Sequence, residues 1–235
     1  MPFAEILSFL RIIFVIAMNT KEQNLAKSDN SKWLELIAVA ITGLLKFIIM
    51  DWLQMRAFYI CGACLFWLIY VVVRYKSDNS MLKYWGFKRE NFKKSFLLLF
   101  PFAIIGIVGI IAYGIFREKY ILNWHILPVF FLYPAWGLIQ QFMVAGLLAG
   151  NIKSINTVHF KNYQIVLISS SIFALVHYPD FFLMTFAFFM QVIFTLVYLM
   201  WRNLWALGLI HGWVATFLLY YILERDLWLE LFAWF

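Results

Sequence analysis

Charge is what this sequence has least of. Only 13% of its 235 residues are charged, about half the share of a soluble domain. With 65% hydrophobic residues, a chain of this length cannot hide its apolar surface from water, which excludes a soluble globular fold. Lipid accepts such a surface. Cysteine is nearly absent as well. Cys61 and Cys64 cannot build a disulfide framework. Their Cys-Gly-Ala-Cys spacing lies inside an apolar run rather than at a helix start behind a strand, so it reads as small residues at a helix-packing face. Several catalytic signatures are missing too. There is no His-Glu-x-x-His, no Gly-x-Ser-x-Gly and no pair of aspartates within an apolar stretch. The zinc-protease pattern is thus absent, an intramembrane serine nucleophile has no support, and an aspartyl dyad is excluded.

Aromatic residues and long apolar runs are plentiful. The 11 Trp and 12 Tyr suit the two membrane–water interfaces, where a ring sits half wet. Residues 95–116 carry no charge, and about 20 apolar residues cross a bilayer. The stretches 125–152, 162–179, 181–201 and 203–223 are uncharged except for Arg202 beside the last, and only Asp180 and Arg202 separate the final three. Residues 33–50, with Glu35 and Lys46 near their ends, and 54–73, with Arg56 near its start, are further spans. Glu35 and Lys46 are expected to snorkel to the interface. Residues 2–19 read as an interfacial amphipathic helix or a tilted first span. The predicted class is all-α: a polytopic integral membrane helical bundle with roughly six to eight transmembrane helices. Its expected parts are N-terminal membrane helices over 1–82, a membrane core over 83–223 and an amphipathic tail over 224–235.

The net charge of +7 is a topology signal rather than a nucleic-acid footprint. Seven Lys or Arg fall in 74–94 against Asp78 and Glu90. If the spans alternate, the loops at 20–32, 74–94, 151–161 and 201–203 share one side, and the positive-inside rule makes that side cytoplasmic. The tail, with Glu224, Asp226 and Glu230 against Arg225, falls on the other. The lipid bilayer is the expected environment and its anionic headgroups a possible contact. No nucleic acid is expected.

Polar groups at membrane depth are costly and mark function by default. Gln140 and Gln141 lie mid-span, Gln191 lies within 181–201, His177 ends 162–179, and His211 sits well inside 203–223. Ser169, Ser170 and Ser171 read as allowing close helix packing. A lone buried Gln or His usually serves helix–helix hydrogen bonding. Two Gln and two His on three helices could instead converge on one small wet cavity. Two imidazoles without a carboxylate or thiolate are a thin ligand set, so neither a metal nor a cofactor is expected.

Three segments carry a family resemblance. Phe173-Ala-Leu-Val-His177 is a Phe-x-x-x-His motif, His211 follows Asn203-Leu-Trp-Ala-Leu-Gly-Leu-Ile, and Gln140-Gln141-Phe-Met-Val-Ala145 stands where Glu-Glu-x-x-x-Arg would. Their order and spacing on successive spans resemble the CAAX-protease and bacteriocin-processing (CPBP, Abi) family of intramembrane glutamic proteases. The likeness runs over about 83–220, from Tyr84-Trp85-Gly86-Phe87 onward. It implies an endopeptidase acting on membrane-associated proteins or prenylated peptides, with Gln140, Gln141, His177 and His211 at the catalytic positions and Phe173 beside the substrate.

The departures bear on chemistry. Both glutamates are glutamines, the arginine is Ala145, and an Asn or Asp four residues after His211 is Ala215. A buried carboxylate can take a proton from water; a neutral amide can only orient one. Hydrolysis would then need His177 or His211 as base, imidazole having an ordinary pKa of about 6.5, and would be slow or absent. A catalytically inactive relative that binds or shields a membrane protein is the alternative, and a small transporter is the remaining one. Nothing marks a eukaryotic organelle, so a prokaryotic cytoplasmic membrane is the expected location.

Overall fold

The computed structural model describes residues 28–118 and 120–232. The segment 2–19 therefore lies outside the described residues. The described residues form helices and no strand. Six of these helices are long and apolar enough to cross a membrane, so the chain is an integral membrane protein.

α1 spans Asp29–Trp52 and α2 Arg56–Ser77. The Ser28 side chain caps α1 by accepting from the Ser31 amide, and its last stretch, Lys46–Trp52, widens to π-helical hydrogen bonding. The short α3, Met81–Trp85, stops at Gly86 with φ 105°. A Cβ there would stand 2.7 Å from the Arg202 carbonyl oxygen, so this turn needs glycine both for its backbone angle and for space. α4 spans Phe92–Phe116 and α5 Ile126–Ser154, the latter π-helical over Phe142–Ala149. α6, Asn162–Leu175, has only 14 residues. The apolar run continues past it, but Tyr178 precedes Pro179, and a residue before proline is pushed away from helical geometry. Asp180 then caps α7, Phe181–Trp201, by accepting from the Leu183 amide. Asn203 caps α8, Leu204–Tyr221, by accepting from the Ala206 amide. The tail forms α9, Leu227–Phe232.

α8 is the axis of the bundle. Two thirds of its most apolar stretch is buried, against a third or less in every other span. Lipid gives helices no hydrophobic reason to associate, so close van der Waals approach has to hold them together. Glycine supplies it. A Cβ on Gly212 would sit 2.4 Å from Pro134 Cα, one on Gly208 2.7 Å from Leu138 Cα, and one on Gly137 2.8 Å from the Gly208 carbonyl oxygen. α5 and α8 thus touch backbone to backbone. Outward-facing Phe58, Leu65, Ile105, Phe116 and Phe131 remain exposed, as lipid contact requires.

The two ends of the bundle differ. At one end the Tyr198 hydroxyl donates to the Trp85 carbonyl at 2.9 Å, Asn203 donates to the Lys88 and Glu90 carbonyls at 2.7 and 3.0 Å, and Asp29 accepts from the Asn156 and Thr157 amides. These contacts gather the loops after α2, α5 and α7 and the start of α1 onto one end, with the rings of Trp67, Trp85, Phe87 and Phe142 packed edge to face or tilted beneath it. Glu35 does not snorkel. It is 6% exposed, accepts from the Tyr70 hydroxyl and from Asn151 Nδ2 at 2.6 Å, and has the Lys32 and Arg74 cations near it. Donors from α2 and α5 replace the water that snorkelling would have reached. At the opposite end Lys46 meets Asp51 at 2.6 Å, and Glu230 on α9 joins Arg56 at 3.0 Å and Arg225 at 2.6 Å.

Candidate active site

α6 ends early, at Leu175, which leaves His177 two residues beyond its last residue, in the turn that leads to α7. The His177 amide donates to the Ala174 carbonyl at 2.9 Å. Its ring Nδ1 lies 2.7 Å from the Phe173 carbonyl oxygen. A carbonyl only accepts, so Nδ1 carries the proton and the neutral ring keeps its lone pair on Nε2. The Phe173 ring stands edge-on between the imidazoles, with centroids 4.9 Å from His177 and 5.7 Å from His211.

His211 is held from behind. Gln141 Nε2 lies 2.9 Å from His211 Nδ1 and 2.9 Å from Gln191 Oε1. An amide nitrogen donates, so His211 Nδ1 accepts and Nε2–H carries the proton. Gln191 in turn donates to Thr195 Oγ1 at 3.1 Å. Gln141, Gln191 and Thr195 are fully buried. The two histidines thus hold opposite tautomers, each set by the partner of its Nδ1.

A cavity of about 830 Å³ lies between α1, α5, the turn after α6, α7 and α8. Gln140, Phe173, His177 and His211 line it; Gln141 does not. The adjacent glutamines diverge as a quarter-turn requires, Gln140 toward the cavity and Gln141 into the packing between α5, α7 and α8. Gln140 Oε1 is buried without a hydrogen-bond partner among the described residues. Ala215 is also on the wall and Ala145 is buried away from it, so neither supplies a polar group. Gln191, one polar residue among several mid-span in the sequence, takes on weight here. Its only local signal is Thr195 four residues on, on the same helix face.

Lys46, Asp51, Arg56, Asp180 and Arg225 also line the cavity, as does Leu227 of α9. The tail is tied down through Asp226, which accepts from Asn123 at 2.7 Å, His125 at 2.6 Å and the Tyr220 hydroxyl at 3.0 Å. Burial alone would raise the Asp226 carboxyl. The hydrogen bonds from His125, Asn123, the Leu229 amide and Tyr220 outweigh it and hold the group below the usual carboxylate value. Among the described residues no three His, Cys, Asp or Glu side chains cluster as a metal site would need.

The helices that carry these residues match a known family. The family model for type II CAAX prenyl endopeptidase Rce1-like proteins covers residues 95–217, which includes both glutamines, both histidines and the glycine contacts between α5 and α8. The chain belongs to the Rce1-like family. No curated protein and no solved structure matches it. The Rce1-like region thus holds α5 to α8 entire but for the end of α8, while Lys46 and Arg225 on the cavity wall lie outside it.

Proposed function

We propose that this Rce1-like chain is an intramembrane endopeptidase that takes a peptide segment of a membrane-associated protein into the 830 Å³ cavity and hydrolyses it slowly, with His177 in the role of base. The observation that carries the reading is the pair of opposite tautomers on the cavity wall. His177 Nε2 holds a lone pair, and His211 Nε2 holds a proton. The lone pair takes a proton from water as the water oxygen bonds to the peptide carbonyl carbon. His211 Nε2–H and the Gln140 amide donate to the oxygen that becomes negative. The imidazolium at His177 then returns its proton to the departing nitrogen as the C–N bond breaks. Gln141 and Gln191 hold His211 in the donor tautomer, Phe173 sets the ring positions, and residues 83–223 form the working core. A prokaryotic cytoplasmic membrane is the proposed setting.

A positioned general base contributes about 10²–10⁴-fold to rate. His177 supplies that base alone, and neither glutamine can share the proton transfer as a carboxylate would, so turnover is slow and Gln140→Glu should raise it. The test is the purified full chain with membrane-anchored peptides, read by mass spectrometry. Slow cleavage by the wild type, lost in His177→Ala and increased in Gln140→Glu, is the expected result.

One observation favours a second reading, a pseudoprotease that binds a membrane protein without cutting it: Gln141 is fastened to His211 and Gln191 rather than presented to the cavity. Peptide binding with no cleavage in the wild type would select that reading over hydrolysis.

A further inference from the structure

We propose that the cavity is entered from the non-cytoplasmic face of the membrane, and that its ligand is an apolar, uncharged stretch on the extracytoplasmic side of a membrane-anchored protein rather than a cytoplasmic prenylated tail. The inference rests on the peptide-binding reading above and adds the side and the chemistry of the ligand.

Two observations meet here. The first is the sorting of charge between the ends. Contacts across the bundle place the loop 78–91, the turn 155–161, the turn at Arg202 and the start of α1 together. That end carries Lys76, Lys83, Lys88, Arg89, Lys93 and Lys94 within one short connection and its flanking turns. Short loops of this kind are the ones whose Lys and Arg set orientation, and the basic side is cytoplasmic. At the opposite end the cations of α1, α2 and the tail are matched by acids: Lys46 by Asp51, and Arg56 and Arg225 by Glu230.

The second observation is where the cavity lies. Its polar lining comes from that opposite end: Lys46, Asp51, Arg56, Asp180 and Arg225. None of the basic residues between Arg74 and Lys94 lines it. Toward the basic end the way is filled by the buried Trp67, Trp85 and Phe142 and by the Glu35, Tyr70 and Asn151 cluster. A segment attached on the cytoplasmic side would have to pass this packing to reach His177. A segment from the other side meets His177 among these charged groups, where Lys46 Nζ reaches the carbonyl of the neighbouring Tyr178 at 3.4 Å.

The lining also sets the ligand's chemistry. The charged groups lining the cavity are three cations and two acids, and Glu230 bridges two of the cations, so together they balance and attract neither a strongly acidic nor a strongly basic segment. Deeper in, Trp136, Phe173, Met190 and Leu218 make an apolar wall, with Gln140 and His211 as its polar points. An apolar stretch with free backbone amides fits such a wall, and Gln140 Oε1 stands ready to accept from one of those amides.

The experiment has two arms. In the full chain carrying Cys61→Ala and Cys64→Ala, single cysteines are placed at the exposed Tyr178 and Leu53 on the cavity end, and at the exposed Arg89 and Lys76 on the basic end. A membrane-impermeant maleimide is applied to intact bacteria expressing each variant. Tyr178→Cys and Leu53→Cys should label at least tenfold more than Arg89→Cys and Lys76→Cys, which should label only after permeabilisation. The second residue of each pair serves if the first variant does not insert. The reverse pattern overturns the inference and leaves the peptide-binding reading standing. In the second arm, a photo-crosslinking apolar decapeptide is offered to the wild type in right-side-out and inside-out vesicles. Crosslinking confined to right-side-out vesicles supports the inference, and crosslinking confined to inside-out vesicles overturns it. Labelling from outside with no crosslink in either vesicle refutes the peptide-binding reading and, with it, the ligand assigned here.

Discussion

Replacing Gly212 by alanine puts a methyl group where α5 already stands. The added Cβ would lie 2.4 Å from both Pro134 Cα and Pro134 N, atoms of backbone that no rotamer change can move aside. Ordinary contact begins at about 3.4 Å, so α5 and α8 have to separate by about 1 Å at this point. Gln141 and His211 sit on these two helices, and their 2.9 Å hydrogen bond would open toward about 3.9 Å, past the length at which such a bond survives. Overpacking of this kind costs about 1–3 kcal/mol. A buried group left unpaired adds about 1–3 kcal/mol. A domain of this size loses about 2–4 °C per kcal/mol, so Gly212→Ala should melt at least about 4 °C below wild type. The assay is thermal unfolding of the detergent-solubilised protein, with Gly106→Ala as control, since a Cβ at Gly106 meets nothing within 4 Å. If Gly212→Ala melts with wild type and with Gly106→Ala, the backbone-to-backbone contact is not what brings Gln141 to His211.

Other outcomes follow from the polar groups. Gln141→Leu strips His211 Nδ1 and Gln191 Oε1 of their donor and should lower stability by about 1–3 kcal/mol, measured by denaturant titration; unchanged stability would show that the triad is not formed. Glu35→Ala removes the acceptor for Tyr70 and Asn151 and should destabilise more than Glu35→Gln, which keeps one acceptor oxygen; the reverse order in melting temperature would refute the cluster. The Asp226 carboxyl is held below its ordinary value of 3.8 by its hydrogen bonds. Its contribution to docking the tail is therefore fully present above about 3.8 and is lost as pH falls through the lower folded value. Amide exchange over 227–232 should be protected at pH 7 and released only once the pH falls below the ordinary carboxylate value and through the lowered one, whereas Asp226→Asn should be equally exposed at both ends of that range.

The spans were legible because an apolar run near 20 residues long has few other uses. The run 125–152 is α5 with small shifts at its ends, and 181–201 and 203–223 are α7 and α8. The run 162–179 overstated α6 because apolar composition continues through Val176 while Pro179 and the Asp180 cap set the real boundary. The divergence of Gln140 and Gln141 followed from helix geometry. Which one meets the cavity did not, since that depends on how α5 turns against α8. Glu35 was misread for a related reason. A carboxylate near a span end has water within reach, and the partners that replace water, Tyr70 and Asn151, are 35 and 116 residues away in the chain. Gln191 was hidden the same way, its importance lying in Gln141, 50 residues distant.

The shortness of α6 reaches beyond the protein. Fourteen residues rise about 21 Å, against about 30 Å for a bilayer's hydrocarbon core, so the lipid beside the Val176–Asp180 turn is mismatched while that beside α4 is not. Acyl chains must thin or tilt on one flank of the bundle. The width of the surrounding leaflet thus becomes a variable acting on the one flank where a guest polypeptide would slip between fatty chains and protein.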